Sequence, residues 1–361
     1  MSENKMESAI ILCEGAFGKP PGKTAAGLVR RSNRFEILGV IDSKSQGTDA
    51  GELLDGVRNG IPIYSSVSKM LSEGGRRPDH LIIGVATIGG RLPDGFRGPI
   101  TEALRSGIGV ISGLHEYLAD DPDFRSAASS GGAEIIDIRR EPPIDELRHY
   151  RNLAKDLDCV RIPVLGTDAA IGKRTTALEL TDSLNALGIS SVFVATGQTG
   201  LLQGSEYGVP LDAIRGDFAV GELEGEIVRA WDERHPKVII IEGQGSLSHP
   251  AYVTGSRAII SASSPNGVIL QHAPNRRYRT FYEEELRMPM PGIAAEIELI
   301  RTIAKCPVIG IGLNHTGMTK EESSETIREY QERFEVPCTD VLWHGAEKLA
   351  KAIARRFSLL C

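Results

Sequence analysis

Short apolar runs that stop at glycine or an acidic residue, separated by stretches of helical period, recur along the whole chain. They restrict the fold more than any composition value does. In the first half the runs are 9–15 (AIILCEG), 35–42 (FEILGVID), 80–86 (HLIIGVA), 108–113 (IGVISG) and 133–139 (AEIIDIR). Near-continuous Val, Ile and Leu over such lengths reads as strands buried on both faces, which is the pattern of parallel sheets. Helical patterns at 66–74 and 97–106 lie between them, giving the strand–helix–strand rhythm of a Rossmann-like sheet. A second series starts near 160, with strands expected at 161–165, 191–195, 238–241, 258–260, 268–271, 307–312 and near 339–343. The charged stretch 139–159, which carries a Pro pair, reads as a helical connector. The expected fold class is α/β with two parallel sheets: a Rossmann-like domain over 1–145 and a P-loop α/β domain over 146–361.

A chain of 361 residues can bury two such cores. A formal net charge of −7 argues against a general nucleic-acid binder. The first residues, MSENKMES, lack the apolar core of a signal peptide, and no run approaches the roughly 18–20 apolar residues that cross a bilayer. These features predict a cytoplasmic protein with no membrane or nucleic-acid partner. Five scattered cysteines suit reduced thiols better than a disulfide framework or a zinc site, so no metal centre is expected. A homo-oligomer is the default expectation.

The strand at 161–165 runs into GTDAAIGKRTTALEL, with five residues between Gly166 and Gly172 where the common P-loop has four. Ala177, Leu180, Leu184 and Leu187 follow at helical spacing, and Gly188 can end that helix. A strand, a glycine-bounded loop and a helix start make a phosphate cradle. Backbone N–H groups line the concavity, the helix N-terminus adds partial positive charge, and Lys173 reaches phosphate oxygen. Gly166, Thr167, Asp168, Gly172, Lys173, Arg174, Thr175 and Thr176 are the candidate cofactor-binding residues. Arg174 stands where such loops carry the Ser or Thr that ligates magnesium. A guanidinium cannot bind magnesium but can hold phosphate in a bidentate grip. Thr175 is rotated roughly 100° from the missing position, so it does not simply replace it.

Other strand ends supply further candidates, because open α/β sheets bind ligands at the carboxyl ends of strands. KVIIIEGQGSLSHP places Glu242 where P-loop proteins carry an acidic residue, followed by Gln244 and His249. ATGQTGLL offers Thr196, Gln198 and Thr199. LDAIRGDFAVGELE offers Asp217 and Arg215, ILQHAPNRRYR offers His272, Arg276 and Arg277, and VIGIGLNHTG offers Asn314, whose amide suits an adenine edge, and His315. The catalytic candidates are Asp217, Glu242, His249 and His272; the substrate-binding candidates are Arg215, Gln244, Arg276 and Arg277. A second Gly-Lys-Thr, at 22–24, fails both P-loop spacings, and its glycines fail the dinucleotide fingerprint although Asp42 ends the second strand.

Together, the five-residue loop with Arg after its lysine, the EGQGSLSHP segment and the Rossmann-like first half resemble the DgcN-type proteins over essentially the whole chain. The loop and the EGxG segment are also similar to those of dethiobiotin synthetase. The first resemblance implies a D-glutamate N-acetyltransferase that uses acetyl-CoA and works beside a cyclase/racemase-type enzyme. It also implies that the cradle grips CoA phosphates, that Arg276, Arg277 and Arg215 clamp carboxylates, and that Asp217, Glu242, His249 or His272 removes the amine proton. The Gly243–Gly245 amides are candidates for the oxyanion. Two alternatives stay open at this point: an ATP- and magnesium-dependent ligase or kinase, and a nucleotide-binding regulator without turnover.

Overall fold

Thirteen strands are all accounted for by two parallel sheets in the computed structural model, which describes residues 6–280 and 286–360. The first sheet contains β1 (Glu7–Leu12), β2 (Phe35–Ile41), β3 (Ile63–Tyr64), β4 (His80–Ile83), β5 (Gly109–Ser112) and β6 (Ile135–Asp137) in the order β3-β2-β1-β4-β5-β6. That is the order of the doubly wound dinucleotide-binding fold. Its strands are parallel and its central residues, among them Ile10, Ile11, Leu12, Ile82 and Ile111, are fully buried. This unit comprises Met1–Glu141 together with Gln198–Gly204.

The second sheet contains β7 (Val160–Gly166), β8 (Ser191–Ala195), β9 (Tyr207–Gly208), β10 (Val238–Glu242), β11 (Val268–His272), β12 (Val308–Leu313) and β13 (Cys338–Thr339). Their order is β13-β12-β11-β7-β10-β8-β9. The Ile239–Ile240–Ile241 run of β10 is buried throughout, each side chain contributing roughly 2 kcal/mol. Such a strand has no polar face, so its register is set by its neighbours. Glu242 lies level with Val164 of β7, and Gln271 of β11 lies level with Gly166. The β7 loop is therefore flanked by the carboxyl ends of β10 and β11. This unit comprises Pro142–Gly197 and Ser205–Cys361.

Three sequence expectations fail. The 258–260 run is not a strand but the middle of helix Val253–Ser263, since a short apolar run cannot by itself distinguish the two. Near 339–343 the strand ends at Thr339, and Asp340 caps a short helix, Val341–His344. The 139–159 connector forms no α-helix; only a 3-10 turn at Ala154–Asp156 interrupts it. Its backbone is held instead by buried carboxylates of helix Gly216–Arg234. Glu222 accepts from the Arg148 N–H (2.5 Å), and Glu224 accepts from Arg151 and Leu153 (both 2.7 Å). Gly221 makes the approach possible, because a Cβ there would lie 2.2 Å from the Arg148 carbonyl oxygen. Side-chain acceptors have replaced the intrahelical ones.

Candidate functional site

The site is built on the loop between Gly166 and helix Lys173–Ala186. Ala170 (φ +50°) and Gly172 (φ +99°) both occupy the left-handed region. For Ala170 this costs roughly 1–2 kcal/mol, and left-handed residues of this kind are what anion-binding nests are built from. The first N–H groups of the following helix have no acceptor within the helix itself. Lys173, buried, folds its ammonium over the loop to the carbonyls of Asp168 (2.5 Å) and Gly245 (3.1 Å). Thr176 is fully buried and donates to Gln271 Oε1 (2.7 Å), so its hydroxyl belongs to the packing beneath the loop. Arg174 and Thr175 are half-buried in the first helical turn.

Asp168 holds the loop from behind. Its carboxylate is fully buried and accepts from Arg276 Nη1 (3.0 Å) and the Thr280 N–H (2.9 Å) through Oδ2. Among the described residues its Oδ1 has no hydrogen-bond partner, with His249 Nε2 at 3.6 Å and Arg279 Nη1 at 3.8 Å. Arg276 also donates to the carbonyls of Ala169 (2.7 Å) and Ala170 (3.0 Å). Its guanidinium is thus a tether for the strained turn. Arg279 is buried, donates to Ser246 Oγ (3.2 Å) and to Ser248 O and Oγ (3.0 and 3.1 Å), and is lowered from the usual arginine value by burial.

Glu242 closes the other side. It is buried, and its Oε2 accepts the N–H groups of Thr196 (2.9 Å) and Gly197 (3.1 Å) beyond β8. Burial pushes its carboxyl above the ordinary glutamate range, partly offset by Arg174, the two amides and Lys173. A raised carboxyl beside two cations retains a basic lone pair nearer neutral pH. Gln244 donates to the Thr196 carbonyl (2.5 Å), bracing the same segment.

The histidines have different roles. His249 Nδ1 accepts from Ala251 (3.1 Å) and Tyr252 (3.0 Å), so the neutral ring carries its proton on Nε2 and faces Asp168 as a donor. Burial, then Arg279, holds its pKa down. His272 pairs through Nδ1 with Thr167 Oγ1 (2.8 Å), and burial pushes it down to about 4. A group that acidic is a weak proton acceptor at neutral pH. Asn314 donates to the Ile171 carbonyl (3.0 Å) and accepts from the Thr316 N–H (2.9 Å), which binds its amide to the loop. Arg277 is exposed beside the tethered Arg276. Arg215 and Asp217 are exposed at the start of helix Gly216–Arg234, after β9, three strand positions from β7 or roughly 14 Å. Gln198 and Thr199 belong with the first unit, where Thr199 Oγ1 meets Thr24 Oγ1 at 3.0 Å.

Sequence reasoning did not single out Arg279, Gln271, Thr280, Ser246 or Glu296. Glu296 is buried, raised by that burial, and accepts from the Leu247 N–H (2.7 Å). Nothing local separates buried Arg279 from exposed Arg277; the difference exists only once the chain has folded around Asp168.

In the first unit Asp42 sits where a ribose-binding acid would stand. Its carboxylate accepts instead from Gly15 (2.9 Å), Phe17 (3.3 Å) and Lys44 (3.0 Å), filling the β1 loop from within.

Comparison with known proteins assigns both halves. Residues 148–350 match the family described as a domain of unknown function with a P-loop domain (DUF1611_C), and residues 43–141 match its Rossmann-like domain (DUF1611_N). The chain belongs to the DUF1611 family. A crystal structure of a DUF1611 family protein from Anabaena variabilis superposes with a TM-score of 0.88 at 34% identity, covering 97% of this chain and 99% of that one. A protein named D-glutamate N-acetyltransferase from Tritonibacter scottomollicae is 34% identical over 285 residues, 76% of this chain and 80% of its own. A second of that name from a Pseudoalteromonas species is 32% identical over 278 residues, 74% and 79% respectively. Among the described residues no helix is long and apolar enough to cross a membrane.

Proposed function

We propose that this protein is an N-acetyltransferase that moves the acetyl group of acetyl-CoA to the amine of D-glutamate. The observation that carries the reading is a strand–loop–helix cradle with Lys173 folded over the loop and Arg174 half-buried in the first helical turn, in a chain whose relatives carry that activity in their name. CoA bears a diphosphate and a ribose phosphate, so such a cradle serves it without any phosphoryl transfer. Gly172, Lys173, Arg174 and Thr175 hold the diphosphate in this reading, with Gly166, Thr167, Asp168 and Thr176 shaping the loop.

Glu242 is the proposed base. Asp217 is exposed at the start of helix Gly216–Arg234, three strand positions away, His272 is too acidic, and His249 presents a proton rather than a lone pair. One ammonium proton of D-glutamate passes to Glu242 and on to solvent. The freed nitrogen attacks the thioester carbon. As the C–N bond replaces the C–S bond, the second proton passes from nitrogen to the departing thiolate. Arg277, exposed beside the loop tether, is the proposed carboxylate clamp. The proposed setting is the cytoplasm, as a homo-oligomer beside a cyclase/racemase-type enzyme that handles the same amino acid.

Purified protein with acetyl-CoA and D-glutamate should release free thiol and form N-acetyl-D-glutamate in the presence of EDTA. Hydrolysis of ATP with magnesium, and no thiol release across D- and L-amino acids, would replace this reading with an ATP-dependent one.

A further inference from the structure

The carboxyl end of β12 carries an aromatic pair that the reaction chemistry does not use. His315 stacks on Trp343 with ring centroids 3.7 Å apart and planes 8° from parallel. Asp340, almost fully buried, accepts from His315 Nδ1 at 2.7 Å through Oδ2, while its Oδ1 caps the following turn through the N–H groups of Leu342 (3.0 Å) and Trp343 (3.2 Å). The imidazole is therefore fixed in plane by a carboxylate and in tilt by an indole. Despite this, the pair is not sunk in the core: the His315 side chain is 25% exposed, Trp343 is half-buried, and Leu342 beside it is 57% exposed. A rigid aromatic surface left open to solvent is suited to stacking another flat ring.

Its position relative to the cradle suits the base of a nucleotide. Asn314, the residue before His315, donates to the Ile171 carbonyl inside the loop. β12 lies two places from β7 across β11, a lateral step of roughly 10 Å. That matches the reach from a 5′-diphosphate through its ribose to a base. The other flank, at β10, is where Glu242 stands. Phosphates at the centre, a base on one side and the reacting carbonyl on the other use the edge without overlap.

We propose that His315 and Trp343 form a stacking platform for the adenine of an adenosine 5′-diphosphate moiety seated in the β7 loop. CoA and ATP share this moiety; the inference rests on the acetyl-CoA reading for its choice of CoA. Asn314 spends one amide N–H on the loop and one lone pair on the Thr316 N–H, so the platform rests on stacking and not on an edge contact from this amide. Asp340 is a positioning residue, holding the imidazole flat against Trp343.

The chain has two tryptophans, Trp231 and Trp343, so a Trp231→Phe background leaves one reporter on the platform. Titrating it with CoA should quench Trp343 emission. Trp343→Ala should raise the Kd for CoA about tenfold, the size of one base-stacking contact, while Trp343→Phe keeps most of the affinity. Calorimetry with 4′-phosphopantetheine, which has no purine, should give the same Kd in both variants, showing an intact cradle. Equal CoA affinity in wild type and Trp343→Ala overturns the platform and leaves the acetyltransferase reading standing. Purine-dependent quenching by ATP but not CoA supports the platform and overturns the CoA reading. A loss of phosphopantetheine binding equal to that of CoA in Trp343→Ala assigns Trp343 a structural role and overturns the platform.

Discussion

The chain has two strand-to-helix loops rich in glycine and lysine, one after β1 and one after β7, and they end up as opposites. After β1, the Asp42 carboxylate enters the turn and takes the amides of Gly15 and Phe17, while Lys19 donates back to the Gly15 carbonyl (2.8 Å). The loop is complete in itself. After β7 the loop's own carboxylate, Asp168, turns instead to Arg276 and the Thr280 amide, and the buried Lys173 ammonium lies across the loop on the Asp168 and Gly245 carbonyls. Whether such a loop can take an anion depends less on its glycines than on where the neighbouring carboxylate points. A carboxylate in front supplies the negative charge that a phosphate would bring; one behind stiffens the cradle and leaves its amides for a ligand.

The largest expected effect lies on the β7 side. Glu242→Gln should lower kcat about 10²–10⁴-fold, the usual worth of a positioned base, with the acetyl-CoA KM little changed. In the wild type, kcat should rise with pH through the raised Glu242 value, because only the carboxylate accepts the proton. The stability sign runs the other way. A carboxyl raised in the folded state binds more protons there than when unfolded, so its contribution is full below the unfolded value and is lost as pH rises through the folded one. Glu242→Gln should therefore be neutral or stabilising near pH 7, as urea unfolding at two pH values would show.

Next comes the carboxylate behind the loop. Asp168→Ala leaves Arg276 and Arg279 without their buried counter-charge and should cost about 3–5 kcal/mol in chemical denaturation. A smaller loss, under about 1 kcal/mol, would mean that Asp168 does not anchor the cradle. Lys173→Ala should raise the acetyl-CoA KM roughly 10–100-fold with a lesser change in kcat, as expected for a charge-assisted phosphate contact. The smallest effect is assigned to the first loop. Asp42→Ala strands the Gly15 and Phe17 amides and should cost about 1–3 kcal/mol of stability without moving the acetyl-CoA KM. A KM shift there would break the contrast between the loops.

Most strands of both sheets and the β7 loop were legible in the sequence because parallel strands are apolar runs and P-loops carry a recognisable glycine spacing, whereas the two-residue β3 and β9 are too short to show such a run. The failures have a common cause in distant partners. The 139–159 segment reads as a helix until Glu222 and Glu224, some seventy residues on, take its amides. Arg276 reads as a substrate clamp until the fold sets it against the Ala169 and Ala170 carbonyls. His249 and His272 read as bases by residue type; the two amides on His249 Nδ1 and the burial of His272 decide otherwise. Glu242 stands at the end of its own strand, which the sequence places, while the Thr196 and Gly197 amides it accepts come from some 45 residues earlier.

The contrast between the loops is tested most directly by calorimetric titration of CoA into the wild-type chain, Lys173→Ala and Lys23→Ala, all with EDTA present. One CoA should bind per chain without metal, with binding weakened at least tenfold in Lys173→Ala and unchanged in Lys23→Ala. Binding that survives in Lys173→Ala but weakens in Lys23→Ala would place the ligand in the other loop and contradict the account.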